Sequence, residues 1–245
     1  EKIFQESNTP ITPYEFIWRI CEVKDVGLEA LSVLVIDHTV PPVQHVSGGS
    51  KAANTRWKEF LIERLGDYSE NRNQPELNGS SGLSPYIHFG HISPHQILSD
   101  IFAKHNWDIS KITPPNDGRR SGWWGLPSDV ESFLDQIITW RDLGFIHCAT
   151  VENHHKFESI PEWAQKTLAE HEDDERPYIY SFEEFENAQT HDELWNAAQR
   201  QLRTDGMIHN YLRMLWGKKI LEWTPSPKIA MEYMVALNDK WALDG

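Results

Sequence analysis

Along most of this chain apolar residues recur at three- and four-residue steps, the period of helices that bury one face. In AANTRWKEFLIERLGDYSENRN, residues 52–73, the stripe is Trp57, Phe60, Leu61 and Leu65, with mostly polar or charged residues elsewhere, which predicts one amphipathic helix. Ser93-Pro94 supplies an N-cap and a proline at the first helical position, so a helix is expected to about His105. Ser128 and Glu131 have the spacing of a capping box at the head of SDVESFLDQIITWRDLGFIHC, whose expected core contacts are Leu134, Ile137, Ile138 and Leu143. A short exposed helix is expected within the acidic stretch 161–174. Ser181 and Glu184 form another capping box, and Ser226-Pro227 starts a terminal helix through about Leu237.

The densest pattern lies in 192–223, DELWNAAQRQLRTDGMIHNYLRMLWGKKILEW. Thr190 and Glu193 predict a capping box at its start. Gly206 allows a break, and 207–223 reads as a second helix with Ile208, Tyr211, Leu212, Leu215 and Ile220 apolar. Trp216 and Trp223 are seven apart, on nearly one face and about 10 Å apart along the axis. That separation suits electron hopping between rings and equally suits a packed core, and spacing does not choose between them.

The remaining segments are weaker. EFIWRICEV near the start predicts a short helix, and LSVLVI at 31–36 is compatible with helix or strand. HTVPPV and SGGS are turn material. Residues 106–127 form a Pro/Gly-rich loop with Arg119, Arg120, Trp123 and Trp124, long enough to be functional or surface structure. No strand alternation and no internal repeat stand out, so the fold class is mainly α.

Composition narrows the function. With 245 residues the chain can bury a sizeable core, as one large domain or two small ones. Its formal net charge is −14, from 37 acidic against 23 basic residues, which counts against nucleic-acid binding because phosphate neutralisation supplies much of that affinity. The acids crowd into 170–175 and 183–186, leaving Arg119, Arg120, Arg141, Lys218 and Lys219 for a local basic face. Cys21 and Cys148 have no metal or redox spacing and are expected to be free buried thiols in a reducing, cytoplasmic setting. No apolar run approaches the roughly 20 residues that span a bilayer. His88, His91, His95 and the His154-His155 pair lack the partners of a structural zinc site, so no metal is expected. The chain begins with Glu1 and is expected to be part of something longer.

Two blocks carry a resemblance. WNAAQRQLRTDGMIHNYLRMLWGKKILEWTPSP followed by LNDKWALDG, and SSGLSPYIHFGHISP at 80–94, resemble the flavin-binding domain of the photolyase/cryptochrome family, in the family's order. The match is closest to the class II cyclobutane pyrimidine dimer photolyases and covers roughly 56–245. It implies a helical FAD-binding catalytic domain at 51–245, shortened at its C-terminal end, with 1–50 a linker remnant from an α/β antenna domain absent from this chain.

The resemblance also assigns residues. Ser81, Leu83 and Ser84 match the flavin-phosphate segment, where small residues free backbone N–H groups for a pyrophosphate. Asn210 and Arg213 match positions lining the flavin pocket, Asp244 the carboxylate that pairs with Arg213, and Asn238 the asparagine that contacts flavin N5. Trp216, Trp195 and Trp223 match the inner, intermediate and surface members of a photoreduction chain, and Tyr180 a tyrosine near it. On the helix lining the dimer pocket Trp140 is present, but Gln136 stands where the class II enzymes carry glutamate; an amide can donate a hydrogen bond to a pyrimidine carbonyl but cannot protonate it. Arg141 is placed to contact a phosphate.

The implied protein is a monomer with no membrane contact, acting on damaged DNA. Excited FADH⁻ would inject one electron into a flipped-out pyrimidine dimer, split its ring and recover the electron. Two other readings remain: a cryptochrome-like photosensor without repair, favoured by Gln136 and the acidity, and a cofactor-free helical interaction domain.

Overall fold

The computed structural model describes residues 32–113 and 121–244. The chain divides into two compact units, Glu1–Thr39 and Val40–Gly245. EFIWRICEV, Cys21, Arg119 and Arg120 lie outside the described residues. In the first unit, residues 32–36 are turns and bends with Val33 and Val35 exposed, not the helix or strand their apolar run suggested.

The second unit is helical, and there is no strand among the described residues. In chain order it holds α1 (Ser50–Glu63), α2 (Tyr68–Asn71), α3 (Ser84–His88), α4 (Pro94–Lys104) and α5 (Ser128–Leu134). A π-helical turn, Asp135–Trp140, leads into α6 (Arg141–Thr150). Then come α7 (Glu162–Glu170), α8 (Phe182–Glu186), α9 (Glu193–Asp205), α10 (Asn210–Glu222) and α11 (Pro227–Trp241).

Two hydrophobic clusters hold this unit together. In the first, Trp57 and Phe60 of α1 meet Tyr68 and Phe133, with Leu65, Leu83, Ile97, Ile101 and Leu134 fully buried around them. Phe133 lies 5.0 Å from the Phe60 ring and stacks on Trp57 at 6.0 Å. The buried indole of Trp57 donates Nε1–H to Asp100 at 2.7 Å, so its polar atom is satisfied. Burial pushes the Tyr68 phenol above its ordinary pKa, opposed by the neighbouring Arg72. The second cluster gathers Phe185, Trp195, Leu202, Trp216, Ile220, Trp223, Leu237 and Trp241 from α8 to α11.

Several local expectations need correction. The helix foreseen over 52–73 stops at Glu63; Arg64 leaves helical geometry at φ −127°, and a 3-10 turn (Leu65–Asp67) bends the chain so that Leu65 and Tyr68 reach the same core as Trp57. Glu131 does not close a capping box on Ser128. Its carboxylate accepts the backbone N–H groups of Gly122, Trp124 (3.1 Å) and Leu126 (3.3 Å), tying the preceding loop to α5. Thr190 is not the cap of α9: Asp192 accepts from Leu194 and Trp195 N–H, both at 2.9 Å, and Thr190 bonds Asn196 instead. Leu143 is 49% exposed rather than core, and Cys148 is free but exposed rather than buried. By contrast Ser93 and Ser181 cap their helices as their sequence patterns indicate, Ser181 with the reciprocal Glu184 bond.

Candidate flavin and electron-transfer site

α9 and α10 fold back on each other at Gly206. This residue adopts φ +67°, the left-handed conformation that closes helices at low cost in glycine. Its carbonyl accepts Leu243 N–H at 2.8 Å, and a side chain there would overlap Leu243. The chain end is thereby pinned beside the α9–α10 turn. His209 caps α10, its Nδ1 accepting Tyr211 N–H.

The fold-back aligns three tryptophans. Trp195 of α9 stacks parallel to Trp216 of α10, with centroids 6.2 Å apart and an interplanar angle of 4°. Trp195 also meets Trp223 edge-on, again at 6.2 Å, and Phe185 at 5.2 Å. All three are buried, Trp223 at 2% exposure rather than at the surface as the resemblance implies, because Tyr180 and His191 cover it, and the polar atoms of the stacked pair are accounted for. Trp195 donates to the Trp216 carbonyl (3.1 Å) and Trp216 to Oε1 of the fully buried Gln199 (2.9 Å). Satisfied buried indoles of this kind fix ring orientation as well as position.

Beyond Trp223 the aromatic series continues outward. Tyr180 packs edge-on at 5.9 Å, its backbone N–H bonded to the Trp223 carbonyl at 3.0 Å. Tyr180 also bonds through its hydroxyl to Nδ1 of His191 at 2.7 Å, and the His191 ring sits 4.8 Å from Trp223. The exposed Tyr178 stacks on His191 at 3.7 Å.

α10 also carries the other candidates. Arg213 donates to Asp244 at 2.8 Å, with both side chains largely shielded. Asn210 is exposed and Asn238, near the end of α11, is half-buried. The Asn238 carbonyl accepts Ala242 N–H at 2.8 Å, ending α11 and turning the chain toward Asp244. Two buried nitrogens here have no hydrogen-bond partner: Arg213 Nε and His209 Nε2. Because His209 Nδ1 accepts a bond, the neutral ring carries its proton on Nε2, so both orphans are N–H groups one helical turn apart. A buried orphan donor costs about 1–3 kcal/mol, and an acceptor-rich ligand lying along this face would relieve that cost.

The phosphate-segment candidates belong to the first cluster. Leu83 is fully buried and anchors the loop, Ser81 is half-buried and Ser84 is exposed at the start of α3. Arg56 donates Nε–H to the Ser81 carbonyl at 2.8 Å, and a Cβ on Gly82, at φ +63°, would overlap its guanidinium. The substrate candidates lie on the π-helical turn and, for Arg141, at the first residue of α6. There the exposed indole of Trp140 bonds Asp135, five residues back, at 2.9 Å, while Gln136 is half-buried. Arg141 approaches Asp142 at 3.5 Å and lies over the Phe145 ring. π turns in α-helices occur often at functional sites. A cavity of about 480 Å³ beside this turn is lined by Trp123, Trp124, Ser132 and Asp135.

Known proteins resemble this chain closely enough to decide its family. Deoxyribodipyrimidine photo-lyase of Potorous tridactylus is 38% identical over 212 residues, 86% of this chain and 36% of its own length. The enzymes of the same name from Methanothermobacter thermautotrophicus and Oryza sativa subsp. japonica are each 38% identical, over 81% and 76% of this chain. The chain belongs to the photolyase/cryptochrome family. It spans 33–39% of the length of these relatives. No protein-family model matches it. The crystal structure of the cryptochrome of Synechocystis sp. PCC6803 superposes with a TM-score of 0.51 over 82% of this chain and 42% of its own, at 18% identity, which establishes the shared helical fold.

Within this photolyase-type fold, sequence reasoning missed four residues. Arg56 looked like an ordinary charge on an amphipathic helix, yet it braces the Ser81 loop. Glu131 had the spacing of a cap, and Gln199 and His191 carried no signal. Each acquires its part from a residue outside its own helical turn.

Proposed function

We propose that this chain is the flavin-binding, catalytic part of a light-driven photolyase, a lyase that reopens the cyclobutane ring of pyrimidine dimers in damaged DNA. The observation that carries this reading is the stacked series Trp216–Trp195–Trp223. It is buried at one end against the α10 helix that bears Arg213 and His209, and it reaches the surface through Tyr180. The 38%-identical relatives named for this activity support it.

Bound FAD supplies a photoexcitable one-electron donor. The Arg213–Asp244 pair holds the guanidinium in place, and Arg213 Nε and His209 Nε2 offer hydrogen bonds to the ligand's acceptors. Asn238 offers an amide donor, suited to an anionic reduced ring. The tryptophan series would carry electrons inward toward a flavin held there. Around the lesion, Trp140 supplies an exposed aromatic face for stacking and Arg141 a cation for a phosphate. Gln136 donates a hydrogen bond to a pyrimidine carbonyl and stabilises charge there without transferring a proton.

The test is an absorption spectrum of the chain mixed with FAD and desalted, then illuminated with blue light and a reductant. Bound flavin that photoreduces in the wild type but not in Trp216→Phe is the expected result; a folded, colourless protein would overturn the reading. A second reading, a photosensor without repair, is favoured by Gln136. Gln136→Glu separates the two: dimer repair should rise about tenfold or more if proton donation is what the lesion site lacks. Under the sensor reading, both proteins leave the dimer intact.

A further inference from the structure

Tyr180 and His191 make a contact that a packing role does not require. The Tyr180 oxygen accepts the backbone N–H of His191 at 2.9 Å while its hydroxyl lies 2.7 Å from Nδ1 of the same residue. A phenol has one proton, which it can direct to Nδ1 while its oxygen accepts the backbone N–H; in that arrangement the neutral imidazole keeps its own proton on Nε2. Both members of the pair touch Trp223, Tyr180 at 5.9 Å and the imidazole at 4.8 Å. The His191 side is exposed to water, and Tyr178 stacks over the ring at 3.7 Å, limiting its rotation away from Tyr180.

We infer that His191 is the proton acceptor that makes Tyr180 the terminal electron donor of the aromatic series. This rests on the electron-transfer reading of the three tryptophans. An oxidised phenol is a very strong acid, so tyrosine can reduce an oxidised indole only if its proton leaves with the electron. The step balances within the cluster. The Trp223 radical cation takes one electron from Tyr180 and becomes neutral tryptophan. The Tyr180 O–H proton crosses the 2.7 Å hydrogen bond to Nδ1, giving a neutral tyrosyl radical and a protonated His191. Being exposed, His191 then gives a proton to water, which moves the positive charge out of the protein and blocks return of the electron. A soluble thiol later restores the phenol, supplying one electron and one proton.

The arrangement differs from that of another tyrosine in the fold. Tyr86 donates to the carbonyl of Ser47, a hydrogen-bond acceptor with no useful basicity. A base within hydrogen-bond distance, as at Tyr180, lets a phenol give up its proton with the electron; the Ser47 carbonyl does not supply one.

Pulse radiolysis of the full chain with azide tests this without any cofactor, because the azidyl radical oxidises indoles selectively. Transfer from indole to phenol is read as decay of the tryptophan-radical band with growth of the tyrosyl band. The wild type should show a concentration-independent transfer phase that is absent in Tyr180→Phe. In His191→Gln, whose amide keeps a hydrogen-bond acceptor but no base, the phase should slow by about tenfold or more. Circular dichroism checks that both variants fold. An unchanged rate in His191→Gln, a phase that survives Tyr180→Phe, or no phase in the wild type would overturn the inference. A chain that binds no FAD yet shows the His191-dependent phase would sink the proposed function while leaving this proton transfer standing.

Discussion

Trp57 and Trp195 are both buried tryptophans on helices, and each donates its indole N–H to a fixed oxygen. Their surroundings differ in kind. Trp57 sits in a closed knot, where Phe60, Tyr68 and Phe133 touch one another and two of them also meet the indole. Trp195 also packs edge-on against Phe185 at 5.2 Å, but it links Trp216 to Trp223 in a row of oxidisable rings that runs on through Tyr180 and His191 to the exposed Tyr178. A knot gives every ring many neighbours and maximises lost contact area on deletion. A row gives a path with an inside and an outside. Burial fraction does not distinguish the two; connectivity does.

Substitutions should separate stability from electron transfer accordingly. Phe133→Ala removes the centre of the knot and should cost about 3–5 kcal/mol, read from urea unfolding. Trp195→Phe keeps a ring in the row and should cost less, about 1–3 kcal/mol, yet it should interrupt electron flow between Trp216 and Trp223. If the two changes instead have equal stability costs and equal effects on photoreduction, the contrast between knot and row fails.

Smaller changes sharpen the same comparison. Asp192→Ala deletes the cap that holds the first turn of α9, the turn bearing Trp195, and should lower stability by about 1 kcal/mol. On the knot side, Asp129 accepts the hydroxyl and backbone N–H of Ser69, joining α5 to α2; the hydroxyl and then the N–H hold its carboxyl below the ordinary aspartate pKa. A depressed folded-state pKa stabilises the fold above the unfolded value of 3.8 and is lost as pH falls through the lower folded value. Acid unfolding of the wild type and Asp129→Asn should therefore converge once pH falls below the lowered folded value, with the wild type the more stable above the ordinary value of 3.8. Divergence at the acid end would place the contribution elsewhere.

Helical periodicity made the general class legible, and the stripe Trp57, Phe60 and Leu65 was readable because a buried helix face repeats at a fixed spacing whatever it packs against. Capping boxes were less secure. Ser181 and Glu184 close one, but Glu131 at the same spacing turns to three loop amides instead, since a carboxylate near several unpaired N–H groups satisfies more of them there than at one helix end. The break at Arg64 was invisible for a related reason: Leu65 and Tyr68 fit a continuing helix by pattern, and only the position of Phe133, far along the chain, rewards bending.

Local order along the chain thus determined where most helices begin, which faces are apolar and which residues resemble a flavin domain, because those depend on neighbours three or four positions away. The resemblance names Trp195 as intermediate and Asp244 as the partner of Arg213; tertiary structure set the distances between them and alone decided that His191 meets the Tyr180 hydroxyl. Each of these joins segments that periodicity treats separately, and the turn at Gly206 and the backbone bond from Tyr180 to Trp223 set their distances.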